Sequence, residues 1–204
     1  MKTLSKILTL GLIISLFPFY GMAENSATHD EGVVINGVRW ATRNVDAPGT
    51  FAPYPESSGM FFQWNRRVGW SATDYEWPNY SISGWDSSTS AGTYWTCEND
   101  PCPAGWRVPT QAELQSLNNA GSTWITQNGV IGRLYGTAPN QIFLSAVGWR
   151  TTNGSLNLVG THGVYWSSTQ DYIASAWLLV FSSDNSNVNF GVRANGFSIR
   201  CVAK

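Results

Sequence analysis

The chain of 204 residues carries a formal net charge of −1, and only 12% of its residues are charged, about half the usual globular share. That balance offers no basic field or stripe for nucleic acid. Aromatics reach 14%, with 11 tryptophans, enough apolar area for a core and against a disordered chain.

Taken in chain order, Lys2 and Lys6 precede the apolar run Ile7–Tyr20, and Gly21–Ala23 supplies small residues. This is the pattern of a secretory signal peptide cut after Ala23. The run is short for a membrane span and Pro18 interrupts it, so no span is expected in the exported protein. Residues 24–32 are polar and read as a flexible leader, and residues 33–204 as a single domain. Two apolar runs flank Asn36-Gly37, a strong hairpin signal. Gly59–Trp64, GMFFQW, is either a buried strand or the edge of a short helix, since periodicity does not separate them at this length. From Asn65 to Pro101 little period remains, and long loops are expected, pinned by Trp70, Trp77, Trp85 and Trp95, which need somewhere to pack.

Thr110 with Glu113 three residues on predicts a capping box at the start of a helix. Leu114 and Leu117 then face the core, and Asn118–Gly121 ends the helix. Strands are expected at Ile142–Gly148, Gly163–Ser168, Ala176–Ser183, Asn187–Val192 and Gly196–Val202. In the last, Phe197, Ile199 and Cys201 share one face while Ser198 and Arg200 take the other. One helix among short antiparallel strands and long ordered loops predicts an α+β domain, without internal repeats.

The three cysteines of an exported chain suggest one disulfide and one spare thiol. Chain entropy favours Cys102–Cys201, worth roughly 5 kcal/mol, over Cys97–Cys102, worth about 2 kcal/mol. These cysteines with His29 and His162 offer too few ligands for a metal centre. No nucleophile elbow, Gly-rich phosphate loop or zinc-protease helix motif is present, and no cofactor is expected. His162 reads as a turn histidine. Asp184–Asn189 departs from a calcium loop because Val188 stands where an oxygen ligand belongs and no glutamate closes it. Asn185, Asn187 and Asn189 alternate with Ser186 and Val188 along one strand face. They form either an adaptable hydrogen-bonding surface or a solvated polar face.

The segments CPAGWRVPTQAEL, GVYWSST and NGFSIRCV, with VRWATRNV and GMFFQWNRRVGW, resemble the Fibrobacter succinogenes major paralogous domain family over roughly Val33 to Val202. The resemblance implies a C-type-lectin-like fold related to formylglycine-generating enzymes, in which RVPTQAEL is similar to a helix-opening scaffold segment. It also implies that Trp106 and Arg107 lock the helix against irregular loops and that Cys102 and Cys201 occupy framework positions. The cysteine pair of the enzyme branch and the glutamate-proline-asparagine motif of calcium-dependent lectins have no counterpart here. Trp166 to Val202 further resembles the variable regions of proteins diversified by retroelements. That resemblance implies a ligand-binding set of Asp171, Tyr172, Ile173, Ser175, Asn185, Asn187, Asn189, Phe190, Val192 and Ala194. Trp166, Trp177, Leu179, Phe181, Phe197 and Ile199 are expected to hold the frame. The expected function is an exported, non-enzymatic, adhesin-like module for a surface protein or glycan. The alternatives are an enzyme of the formylglycine-generating type and a structural subunit of a surface assembly.

Overall fold

The computed structural model describes residues 26–78 and 80–204. The expected signal peptide, together with Glu24 and Asn25 of the leader, lies outside the described residues. In chain order the elements are β1 (Val33–Ile35), β2 (Val38–Trp40), β3 (Met60–Gln63), β4 (Gly69–Ser71), β5 (Trp106–Arg107) and α1 (Gln111–Asn119). They continue with β6 (Ser122–Gln127), β7 (Val130–Thr137), β8 (Asn140–Ser145), β9 (Trp149–Arg150), β10 (Leu156–Asn157) and β11 (Gly163–Tyr172). The last are β12 (Ser175–Phe181), β13 (Ser186–Val192), β14 (Gly196–Phe197) and β15 (Val202–Ala203). Mostly antiparallel sheets and one short helix fit the expected α+β class and equally a mainly β class.

Asn36 and Gly37 both have positive φ, which is the turn geometry that matches the right-handed twist of the β1–β2 hairpin. That hairpin joins a sheet of order β1-β2-β15-β5, so the start and end of the domain pair with each other. Gly59–Trp64 resolves as the buried strand β3, not as a helix edge. A second sheet runs β10-β9-β14-β3-β4, and two three-stranded meanders, β6-β7-β8 and β11-β12-β13, complete the fold. The β6–β7 hairpin turns on Asn128-Gly129, again with both φ positive. The expected strand Gly196–Val202 is in fact β14 and β15 separated by a break, and Ser198 and Arg200 are as buried as Ile199.

Two apolar clusters form the core. One gathers Phe62, Trp64, Trp106, Trp166, Leu178, Phe197 and Ile199. The other gathers Trp40, Leu114, Leu117, Tyr135, Tyr165, Leu179 and Phe181 under α1. Strand β12 lies between them, with Leu178 toward one cluster and Leu179 toward the other, which is why its sequence is a near-continuous apolar run.

The leader is not loose from Ser26 onward. Buried Asp30 pairs with Arg43 at 3.2 Å and accepts from the Thr42 hydroxyl at 2.9 Å, while Phe51 N–H donates to the Ala27 carbonyl. The tryptophans of the 65–101 loops also divide. Trp95 is buried, and Trp70 and Trp85 contact each other at 5.0 Å between centroids. Trp77 is 76% exposed and touches Tyr80 edge-on, so its expected packing into the body of the fold does not occur.

The capping box is present: Glu113 N–H donates to Thr110 Oγ1 and Thr110 N–H donates to the Glu113 carboxylate. Arg107 grips the same carboxylate with both terminal nitrogens, at 2.9 and 2.6 Å. Burial raises the Glu113 pKa, but the Arg107 fork and the Thr110 donors outweigh it and hold the carboxyl below its ordinary value. A depressed acid stabilises the fold above its unfolded pKa, and that contribution is lost as pH falls through the folded pKa. Thr110→Ala is expected to cost about 1 kcal/mol at neutral pH. Glu113→Gln is expected to flatten the acid side of the stability–pH curve. Thermal melts across pH check both, and a Thr110→Ala melt equal to the parent would contradict the cap.

Candidate functional site

The strands β11, β12 and β13 carry most of the expected binding residues, so their register decides which side chains meet. Directly opposed residues in antiparallel strands share a face. Tyr172, Ser175 and Val192 form one cross-strand row, and Trp177 with Phe190 forms the next. Further along the same face come Leu179 with Val188 and Phe181 with Ser186, where α1 packs over the sheet. One face therefore runs from a helix-covered end to an uncovered aromatic end. There Tyr172 and Ile173 are each 74% exposed, Phe190 is 58% exposed, and Val192 is also open.

Asn187 and Asn189 belong to the opposite face. Asn189 lies across from Leu178 and Asn187 from Val180, beside an apolar groove of about 240 Å³ lined by Trp149, Val164, Leu178, Val180 and Phe197. Asn185 is exposed but sits in the loop before β13, where its carbonyl accepts from Ser182 N–H. Asn189 Oδ1 accepts from the Phe190 N–H at 2.8 Å, which covers one open donor on an edge strand. The three asparagines are thus solvent-facing, and Asn187 and Asn189 point to the face opposite Tyr172 and Phe190, although Asn189 and Phe190 both border the groove.

The remaining expected ligand residues also separate. Asp171 accepts from the Ser175 hydroxyl at 2.7 Å, so these two hold each other across the hairpin end. Ala194 is only 2% exposed, and its carbonyl accepts from Gln63 Nε2 at 2.9 Å. It belongs to the frame and not to a binding face. Trp166, Leu179, Phe181, Phe197 and Ile199 are buried as expected of frame residues. Trp177 is half-buried and meets Phe190 edge-on at 6.1 Å, which places it on the aromatic surface. Thr169, just before the tip, bridges to exposed Tyr94 of the long loops.

Arg193, which the sequence reading passed over, organises this end. Its side chain is buried against the Trp64 ring, with the guanidinium carbon 4.0 Å from the ring centroid. Nε donates to the Ser175 carbonyl at 3.2 Å and Nη2 to the Tyr172 carbonyl at 3.1 Å. Nη1 donates to the Gly92 carbonyl at 2.8 Å, and the backbone N–H to the Ala174 carbonyl at 3.0 Å. One guanidinium therefore fixes the β11–β12 tip and ties it to the long loops. The available signal was its position: an arginine in a charge-poor chain, between Val192 and Ala194.

Cys102 and Cys201 are joined, with Cα atoms 6.1 Å apart, and Cys97 is free and exposed. The Cys97–Cys102 alternative does not form. His162 follows a turn, and its ring meets Trp149 edge-on at 6.1 Å. No helix among the described residues is long and apolar enough to cross a membrane, and no group of three or more His, Cys, Asp or Glu among them could hold a metal ion. No protein-family model, curated protein or solved structure matches the chain.

Arg193→Ala leaves the Ser175, Tyr172 and Gly92 carbonyls without their charged donor and opens space against Trp64. Hydrogen bonds to charged groups contribute about 1.5–3 kcal/mol each, so a loss of about 3 kcal/mol or more is expected. Hydrogen–deuterium exchange should show faster exchange both at 172–176 and at 90–94. Unchanged exchange at either segment would contradict the tie between them.

Proposed function

We propose that this chain is an exported, non-enzymatic ligand-binding module with a C-type-lectin-like fold, acting at or beyond the cell surface as an adhesin-like domain. The observation that carries the reading is the uncovered aromatic end of the β11–β13 sheet, mounted on a backbone that Arg193 locks. Large apolar and aromatic side chains left open on a rigid element are what protein-binding surfaces use, and aromatics dominate their energetics. A locked backbone beneath open side chains also supports kinship with retroelement-diversified proteins, since side chains at the tip can change without disturbing the frame. The signal-peptide pattern supports export, and a disulfide suits an oxidising destination. With Cys102 and Cys201 bonded to each other, a formylglycine-generating-type reaction is left with Cys97 alone, which weighs against the enzyme reading.

The register divides the expected site, and that division is the basis of the test. The chain is screened on a glycan and surface-protein array, and two variants are compared: Tyr172→Ala with Phe190→Ala, and Asn187→Ala with Asn189→Ala. Exposed substitutions change stability by about 0.5 kcal/mol or less, so both variants should melt like the parent. The aromatic pair is expected to lose array capture by at least about tenfold, the scale of a binding hot spot. The asparagine pair should retain it. Full capture by the aromatic variant with an intact melt would remove the aromatic end from the binding site.

A further inference from the structure

Trp77 is not alone in staying outside the body of the fold. On the loop after β4, Tyr75 is 52% exposed, Trp77 76% and Tyr80 44%. The Tyr80 ring touches both of the others, with centroids 4.9 Å from Tyr75 and 5.5 Å from Trp77. Contiguous exposed patches of this kind mark interaction sites. The backbone beneath the rings is held in place. Glu76 N–H donates to the Ser81 carbonyl at 2.8 Å, and Leu156 N–H of β10 donates to the Tyr80 carbonyl at 2.9 Å. Buried Arg150 donates to the Asp74 carbonyl. Tyr80 itself has a φ of +54°, a left-handed conformation uncommon for so bulky a residue. Such conformations persist only where the surroundings enforce them, and they cluster at ligand clamps.

Ring geometry and charge together choose the ligand. Tyr75 and Tyr80 are tilted by 40° and Trp77 and Tyr80 by 75°, so the three rings share no common plane. They do not make a flat strip on which successive sugar rings could lie. The Trp77–Tyr80 corner instead offers two walls to a compact, rounded group. The sequence holds no Lys, Arg or His between Arg67 and Arg107, while Asp74 and Glu76 alternate with Tyr75 and Trp77 along the chain. Neither carboxylate has an ion-pair partner among the described residues. Arg150, the cation that reaches this loop, is buried, and its donors go to the Ser71, Asp74 and Gly154 carbonyls. Aromatic faces are themselves negative, so the patch and its two carboxylates attract cations and repel anions.

We propose that the corner formed by Tyr75, Trp77 and Tyr80 binds a quaternary ammonium group of the choline type. A cation within about 6 Å of a ring centroid is drawn to the ring face, most strongly by Trp. Centroids 5.5 Å apart let one cation meet that condition at Trp77 and Tyr80 together. A trimethylammonium group carries its charge on a methylated, rounded surface that packs against rings. A lysine ammonium is compact and strongly hydrated, and it would surrender that water on the ring faces. The corner shares no residue with the aromatic end of the β11–β13 sheet, so the two sites separate by mutation.

Choline chloride and neohexyl alcohol, the same molecule with carbon in place of the charged nitrogen, serve as probes. Both are titrated into the full chain by NMR and followed at the Glu76 and Ser81 amides. Choline is expected to bind at least about fivefold more tightly than its neutral isostere, the discrimination expected of a cation on aromatic faces. Trp77→Ala should abolish that preference, and Trp77→Phe, which keeps a ring face, should restore part of it. Glu76→Gln should weaken choline by about twofold and leave the isostere unchanged, as removal of one exposed charge from the local field requires. All three substitutions are at exposed side chains, so each variant should melt like the parent. Tyr172→Ala with Phe190→Ala should leave choline binding unchanged, so failure at the aromatic end and failure at this corner are distinguishable. Equal affinity for choline and the isostere, an undiminished preference in Trp77→Ala, or tighter binding of the neutral disaccharide cellobiose than of choline would each overturn the proposal.

Discussion

Long loops leave backbone carbonyls without ladder partners, and in this fold guanidinium groups take them up. Every arginine of the chain donates to at least one backbone carbonyl. The most demanding case is Arg200, which is fully enclosed. It donates to the Ala41 and Phe143 carbonyls at 3.2 and 3.0 Å and twice to Asn44 Oδ1. Asn44 in turn donates to the Ser57 and Ser58 carbonyls at 3.2 and 3.0 Å. Burial pulls the Arg200 pKa down to about 10, with Tyr165 and Asp30 opposing that shift, and the group remains a cation at neutral pH. Enclosing an ion costs several kcal/mol, which is offset only where each of its donors finds a dipole. Segments from four separate regions, around 41–44, 57–58, 143 and 200, must therefore arrive together for Arg200 to be tolerated at all.

The same chemistry recurs at Arg150, which donates to the Ser71, Gly154 and Asp74 carbonyls and so joins β4 and its following loop to the β9–β10 hairpin. Arg133 does so for the β12–β13 loop through Ser182 and Ser183. A composition poor in charge yet supplied with arginine has a physical meaning here: the buried arginines, Arg43, Arg133, Arg150, Arg193 and Arg200, are structural fasteners. It also explains how a fold with one nine-residue helix and many short strands keeps its loops ordered.

Local signals were legible wherever partners lie close in sequence. Thr110 and Glu113 are three residues apart, and Asn36-Gly37 supplies its own turn geometry, so both features could be read directly. Asn128-Gly129 carries the same hairpin signal between Gln127 and Val130, yet the flanking strands β6 and β7 went unread because Trp124, Gly132 and Arg133 blur the alternation. The disulfide followed from chain entropy. What sequence could not supply was nonlocal. The burial of Arg200 depends on carbonyls from 41 and 143, and that of Ser198 on backbone pairing with Val164 and Trp166 of β11. The split of Asn187 and Asn189 from Phe190 depends on register against β12. Ala194 and Trp177 exchanged expected roles because a short side chain beside Arg193 is enclosed, while the row of Trp177 runs out beyond the helix.

The covalent topology has a consequence for how the molecule withstands proteases. Cys102–Cys201 closes a ring across 99 positions of sequence, and both meanders and the aromatic end lie inside it. A single cut at the exposed loop 183–185 opens the ring but releases nothing, since both pieces remain tethered through the sulfur bridge. A cut among the exposed positions near 86–89 falls outside the ring. It divides the chain into two pieces held only by contacts such as β2 against β15 and Trp64 against Arg193. The aromatic end thus sits in the part that tolerates nicking, while a bond severed just after Ser88 leaves the 65–68 and 90–96 segments on different pieces, joined there by contacts such as Asn65 to the Ala91 carbonyl.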